Sequence, residues 1–316
     1  MNTLECKFDD YLKEKAKYDI QPDVSSDNIK LFDSGKPLSL IYYGPSGVGK
    51  YSSVLHYLSQ YSRTNLAYEK KMVVETTKGP HTIKMSDIHF EIDIGILGCN
   101  AKQIWNDIIL HINDVISLRK EKIGFIVCKN FQEIHSELLE VFYSYLQTTN
   151  KPHSLYFILL SNSVSFIPQN VINRCHIVGV PRPKRNVYAK IGNGNINKDF
   201  ELSNIENIKQ WKCGVSNNIR KNIVTTLVDG IENVELYNFV EMRDKIYDIL
   251  IMNQNTWLVI WEVLQKLIKN GKIPEDKVCD VLNETYRFLE LYNNNYRPIY
   301  HLERYVYFLA TIINEL

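Results

Sequence analysis

The sequence predicts an α/β domain built on a mostly parallel sheet, followed by a short helical segment and an all-helical C-terminal part. Three observations carry that prediction. Apolar runs at 38–43, 123–128 and 155–160 have the length and continuity of strands buried on both faces. Segments of helical spacing separate them, the alternation that winds a parallel sheet. After Pro181 the strand signals stop, and from Ile205 onward almost every segment has helical periodicity.

Taken in order, Phe8, Tyr11 and Leu12 mark a short N-terminal helix, and a polar stretch runs from Gln21 to Asn28. Leu38 to Tyr43 is the first buried strand. Met72 to Thr77 and His89 to Ile92 alternate apolar and polar residues around the turn Thr77-Lys78-Gly79-Pro80, which predicts a strand pair. Ile104 to Ile116 has helical spacing, Ile123 to Cys128 is a second buried strand, Glu137 to Gln147 a helix, and Leu155 to Leu160 a third buried strand. Arg182-Pro183-Lys184 breaks the chain, and Gly192-Asn193-Gly194-Asn195 reads as a loop. Val234 to Met252, Thr256 to Asn270, Pro274 to Tyr292 and Ile299 to Leu316 are long helical stretches. Their aromatics, Trp257, Trp261, Tyr286, Phe288, Tyr305, Tyr307 and Phe308, read as core or interface packing rather than a ligand cage. The expected division is 1–184, 185–233 and 234–316.

Composition narrows the classes. The chain has 316 residues, 45% hydrophobic and 23% charged, as expected of a soluble globular protein of two or three domains. A net charge of +1 provides no global field for nucleic acid, so any such contact is a local patch. The six cysteines are scattered without a C-x-x-C pair, which argues against zinc or a secreted disulfide framework and for a reducing, intracellular compartment, nuclear or cytoplasmic. No apolar run approaches the roughly 20 residues that span a bilayer.

The chemistry starts at Gly44-Pro45-Ser46-Gly47-Val48-Gly49-Lys50. This completes the phosphate-loop pattern G-x-x-x-x-G-K, between a buried strand and a helical pattern (Val54, Leu55, Leu58). Such a turn aims backbone N–H groups at a phosphate, at the positive end of the helix dipole. Lys50 adds a point charge for the outer phosphates. Tyr51 then stands where the pattern has Ser or Thr, whose hydroxyl ligates the nucleotide's magnesium. A phenol is too long and rigid for that role. Ser52 does not repair the loss, since one residue turns a helical side chain by about 100°.

The second buried strand adds a second departure. An ordinary phosphate-loop ATPase has acidic residues at its end, to hold magnesium and to orient the attacking water. Here Lys129 and Asn130 follow Cys128. A cation replaces an anion, so two separate positions damage one metal site. If nucleotide binds, Lys129 partly supplies the missing positive charge; otherwise it is a solvated strand end. The third strand ends at Asn162, an amide placed either near a terminal phosphate or simply in a turn. Arg174 follows about a dozen residues on. Alone it is a surface arginine; beside a phosphate it is the residue type that stabilises phosphoryl-transfer charge, often from a neighbouring subunit.

Phe157-Ile158-Leu159-Leu160-Ser161-Asn162, then Ile167-Pro168 and Asn173-Arg174-Cys175, resemble the sensor-1 and Ser-Arg-Cys block of the clamp-loader branch of the AAA+ ATPases, which includes replication factor C small subunits and the bacterial delta-prime subunit. Leu40 to Lys50 is similar to that family's strand and phosphate loop, and Asn217-Asn218-Ile219-Arg220-Lys221 to its lid block. The resemblance spans roughly residues 30–316. It implies an AAA+ domain, a helical lid and a helical collar. It implies ATP or ADP on residues 44–51, Asn162 and Arg220, and Arg174 acting in trans; the metal site is lost through Tyr51 and Lys129, not through the resemblance. It also implies partners: the other subunits of a hetero-pentamer, a sliding clamp, and primer–template DNA. Tyr51 and Lys129-Asn130 depart from the family's pattern and match its degenerate subunits, which donate an arginine to a neighbour. Two other readings stay open. An active stand-alone ATPase needs an acidic pair near the second strand, where only Asp93, Asp107 and Glu133 are at hand. An inert scaffold needs no nucleotide at all.

Overall fold

The computed structural model describes residues 7–21, 37–76, 79–120, 122–147, 154–191, 202, 205, 207–212, 218–252, 254–292 and 297–314. The polar stretch after Gln21, turn residues Thr77 and Lys78, the loop at 192–195, and Asn217 lie outside them.

The chain divides into two compact units, Met1–Gly214 and Val215–Leu316. The first is a seven-stranded sheet. Its strands are β1 (Leu40–Tyr43), β2 (Lys70–Thr76), β3 (Gly79–Met85), β4 (His89–Asp93), β5 (Ile123–Lys129), β6 (Ser154–Ser161) and β7 (His176–Gly179). Their spatial order is β2-β3-β4-β5-β6-β1-β7. β4, β5, β6, β1 and β7 pair in parallel, while β2 and β3 extend one edge as an antiparallel hairpin. The fold class predicted from the sequence, a mostly parallel α/β sheet followed by an all-helical region, is the one observed.

Strand alternation sends successive side chains to opposite faces, and two cores result. Leu40, Tyr42, Phe125, Val127, Ile158 and Leu160 face α1 (Phe8–Lys17) and α2 (Lys50–Ser59). Ile41, Ile126, Cys128, Phe157 and Leu159 face the other way, against α3 (Ala101–Ser117) and α4 (Ser136–Leu146). Ile104, Trp105, Ile108, Ile112 and Ile116 supply α3's inner stripe at helical spacing. Buried on both sides, the central strands are the near-continuous apolar runs that the sequence displays.

Short helices α5 (Gln169–Ile172), α6 (Arg185–Ile191) and α7 (Ile208–Lys212) complete the unit. β7, not assigned from the sequence, is only four residues at the sheet's edge, too short to carry a pattern.

The second unit comprises α8 (Asn218–Glu232), α9 (Phe239–Ile251), α10 (Thr256–Lys269), α11 (Val278–Tyr292) and α12 (Pro298–Asn314). α9 begins with a capping box, Asn238 and Glu241 each accepting the other's backbone N–H. Ile223, Val224 and Leu227 of α8 share one core with α9 to α12. Phe288 and Tyr305 are buried in it, whereas Trp257 and Trp261 stack on each other while about half exposed. Among the described residues no helix is long and apolar enough to cross a membrane.

Candidate nucleotide-binding site

The parallel register brings the candidate residues together. Strands β1, β6 and β5 end side by side, so the loop 44–49, Asn162 and Lys129 converge at one edge. This is the carboxyl end of an open sheet, the usual place for a ligand crevice. A cleft of about 370 Å³ lies there, lined by loop residues 46–49, Lys50, Tyr51, Lys129, Asn162, and residues of α1 and α7.

The loop has one shape because its backbone leaves little choice. Gly49 caps α2 at φ +86°, in the left-handed region. A Cβ on Gly44 would lie 2.2 Å from the backbone oxygen of Val180, where β1 and β7 run out together. Gly44→Ala is therefore expected to lower stability by about 3 kcal/mol, read as a shift in the urea midpoint. Side chains fix the carbonyls: Tyr188 donates to Gly47 O (2.9 Å), and Gln21 Nε2 donates to Val48 O (3.2 Å) and Pro181 O (2.6 Å).

Lys50 Nζ donates to Gly44 O, to Pro45 O (3.0 Å) and to Asn162 Oδ1 (2.7 Å). Asn162 in turn donates its backbone N–H to Gln132 Oε1 (3.3 Å). The loop lysine and the strand-end amide are thus in direct contact. Burial, with Arg182 nearby, lowers Lys50 to about 8. A polyphosphate would favour the ammonium. Phosphate affinity is thus expected to hold below pH 8 and weaken above it, as Lys50 of the free protein loses its proton. Titrating binding of inorganic triphosphate across neutral to alkaline pH checks this.

The residues replacing the metal ligands are all engaged. Tyr51 donates its hydroxyl to Glu91 Oε1 (2.6 Å), and Lys129 Nζ lies 2.6 Å from Glu91 Oε2. The ammonium also sits 4.4 Å from the Tyr51 ring centre, a cation–π contact. Tyr11 packs edge-on against the same ring. Glu91 is buried, 2% exposed by side chain, with His89 Nε2 at 3.6 Å from Oε1. Burial alone would raise its carboxyl, but His89 and Lys129 outweigh that and hold it near 2. Burial and the adjacent Glu91 push the Tyr51 phenol far up, so it remains a donor.

Asn130, in the left-handed region at φ +51°, donates to both oxygens of Asp93 (3.0 and 3.1 Å). Asp93 also accepts from Gly95 N. Glu133 is raised by burial and by Asp93. Magnesium requires oxygen ligands in near-octahedral array. The phenol, ammonium and amide at these positions do not fit it. Among the described residues no group of three His, Cys, Asp or Glu could hold a metal.

Arg174 lies elsewhere. It is exposed, in the turn between α5 and β7. It comes before His176, which pairs with Leu40 at the start of β1, whereas the phosphate loop follows Tyr43, paired with Gly179. Four residues of strand separate the two ends by about 13 Å. Arg174 bonds the Tyr143 phenol, which Gln147 and Arg174 together hold below its ordinary range. Arg220, in the second unit, pairs its Nε with Glu262 Oε1 at 3.0 Å.

No protein-family model matches the chain, and no curated protein matches it in sequence. Among solved structures, a DNA polymerase III gamma subunit-related protein from Thermotoga maritima is similar at 11% identity and TM-score 0.42, over 91% of this chain and 99% of that one. PCH-2 from C. elegans is similar at 12% identity and TM-score 0.35, over 66% of this chain and 62% of that one. At TM-scores this low, neither protein lends this chain a residue role.

Proposed function

We propose that this chain is a small subunit of a ring-forming AAA+ assembly of the clamp-loader type, with a degenerate nucleotide site of its own and an arginine offered to a neighbour. The observation that carries this is the placement of Arg174. It is exposed on the sheet's outer edge, at the opposite end of β1 from its own phosphate loop. A guanidinium there cannot serve the nucleotide of its own chain; it is available to another chain's.

In this reading residues 44–51 and Asn162 hold ATP or ADP, Lys50 contacting the outer phosphates and the loop's N–H groups the rest. Arg220 acts as the lid arginine. Residues 185–233 serve as the lid and 234–316 as the oligomerising collar, whose half-exposed Trp257 and Trp261 suit an interface. Its own hydrolysis is weak or absent, because Lys129 and Asn130 replace the residues that bind metal and activate water. The partners are the remaining subunits of a hetero-pentamer, a sliding clamp, and primer–template DNA reached through local basic patches.

The test is ATP turnover by the assembled complex carrying Arg174→Ala in this chain alone. Copurification from cells, with mass analysis of the chains and any trapped nucleotide, identifies the assembly.

A further inference from the structure

Glu91 has no assigned role in a phosphate-loop site. It sits on β4, one strand away from β5, and its register partner is Val127. Asp93 pairs with Lys129 in that register, so Glu91, Asp93 and Lys129 project to one face of the sheet, the face against which α2 packs. Tyr51, in the first turn of α2, reaches the same point. A buried carboxylate thus gathers a phenol and an ammonium at the floor of the phosphate cleft.

The geometry points to a built-in cation: Glu91 and Tyr51 hold the Lys129 ammonium beside the phosphate loop in place of a divalent ion, and the cleft binds nucleoside polyphosphate in its metal-free form. This rests on the nucleotide reading above and deepens it. The ammonium has three donors. Glu91 Oε2 forms an ion pair with it at 2.6 Å, and the Tyr51 ring fixes the approach from one side. Lys129 keeps 30% of its side chain exposed and lines the cleft, so it retains a face toward a ligand. Glu91 never meets the nucleotide in this arrangement. It is a positioning residue: it aims Lys129, and it occupies the phenol that stands where a metal-binding hydroxyl belongs. A divalent ion brought in on a nucleotide meets a fixed ammonium, and among the described residues lining the cleft the one carboxylate, Glu14, pairs with Lys212, so the ion gains nothing from the site.

The experiment is equilibrium binding of a fluorescent ATP analogue to the full chain, in EDTA and in excess magnesium. The parent is expected to bind at least as tightly in EDTA as in magnesium. In the charge-neutral pair Glu91→Gln with Lys129→Gln, metal-free binding is expected to weaken by about 10-fold or more, and magnesium now tightens it. That reversal of metal preference is a readout that lost packing alone would not produce. Glu91→Asp, with a shorter reach, is expected to fall between the two. Paramagnetic manganese reports independently: adding the parent to manganese–ADP is expected to release manganese as the cleft takes up the metal-free nucleotide, and manganese retained on the bound nucleotide would overturn the inference. A parent that binds only the magnesium complex, or a double variant whose metal preference is unchanged, overturns the inference and leaves nucleotide binding intact. A parent that binds the analogue under neither condition overturns this inference and the nucleotide part of the proposed function together, and the Arg174 experiment then judges the ring reading by itself.

Discussion

Arg174→Ala in this chain is expected to cut ATP turnover at the neighbouring site of the assembly by about 10³-fold or more, the scale at which trans-acting arginines stabilise phosphoryl-transfer charge. The side chain is exposed and its one described contact, the Tyr143 phenol, is at the surface. The variant should therefore fold and assemble as the parent does. Arg174→Lys should not restore the rate, because a single ammonium lacks the planar two-pronged donor set that spans phosphate oxygens. Nucleotide affinity of this chain's own cleft should not change, since about 13 Å of strand lies between the two. Turnover assays and nucleotide titration on the same preparations separate these effects. Undiminished turnover in the Arg174→Ala assembly would leave the inert scaffold as the better account.

Much of this was legible in the sequence because backbone demands are local. A Cβ on Gly44 would run into Val180 O, Gly49 sits at a φ of +86° that strains any other residue, and the apolar runs flanking them fix strand and helix on either side. A buried strand ending in an amide marks Asn162 as a residue at the strand's rim; its 2.7 Å bond to Lys50 is visible only in the structure. Glu91 was not legible. His89-Phe90-Glu91-Ile92 alternates polar and apolar residues, which ordinarily means one wet face. Here the polar face is buried too: Ser86 bonds His89 Nδ1, Tyr51 bonds Glu91 Oε1, and Lys129 forms an ion pair with Glu91, from elements the sequence does not place side by side. In sequence the carboxylates nearest β5 are Asp93, Asp107 and Glu133. Lys129 shows there only as a departure from an acidic pattern, with no sign of the anion that holds it. α8 posed a similar problem: its amphipathic pattern shows that it packs, not that its partners are α9 to α12.

Lys129→Met is expected to destabilise the fold by about 3 kcal/mol at neutral pH, because it strands a buried carboxylate. Lys129 is 30% exposed, which places the loss toward the low end for broken buried pairs. The dependence on pH identifies the cause. In the parent, the Glu91 carboxyl lies near 2, below its ordinary 4.5. A depressed carboxyl contributes stability that is present above 4.5 and is lost as pH falls from there toward 2. Without the ammonium, burial is opposed only by His89 and the Tyr51 hydroxyl, so the folded-state value moves up from where the parent holds it. Protonation then costs the variant less than the parent, so its deficit is largest near neutrality and shrinks as pH falls into the acidic range. Urea midpoints for both proteins from neutral to acidic pH should converge. The neutral pair Glu91→Gln with Lys129→Gln should recover most of the stability, since neither charge remains to be compensated. A deficit that is constant with pH would mean that Lys129 acts through packing of its stem against Tyr51 rather than through Glu91. A neutral pair as unstable as Lys129→Met alone would mean the same.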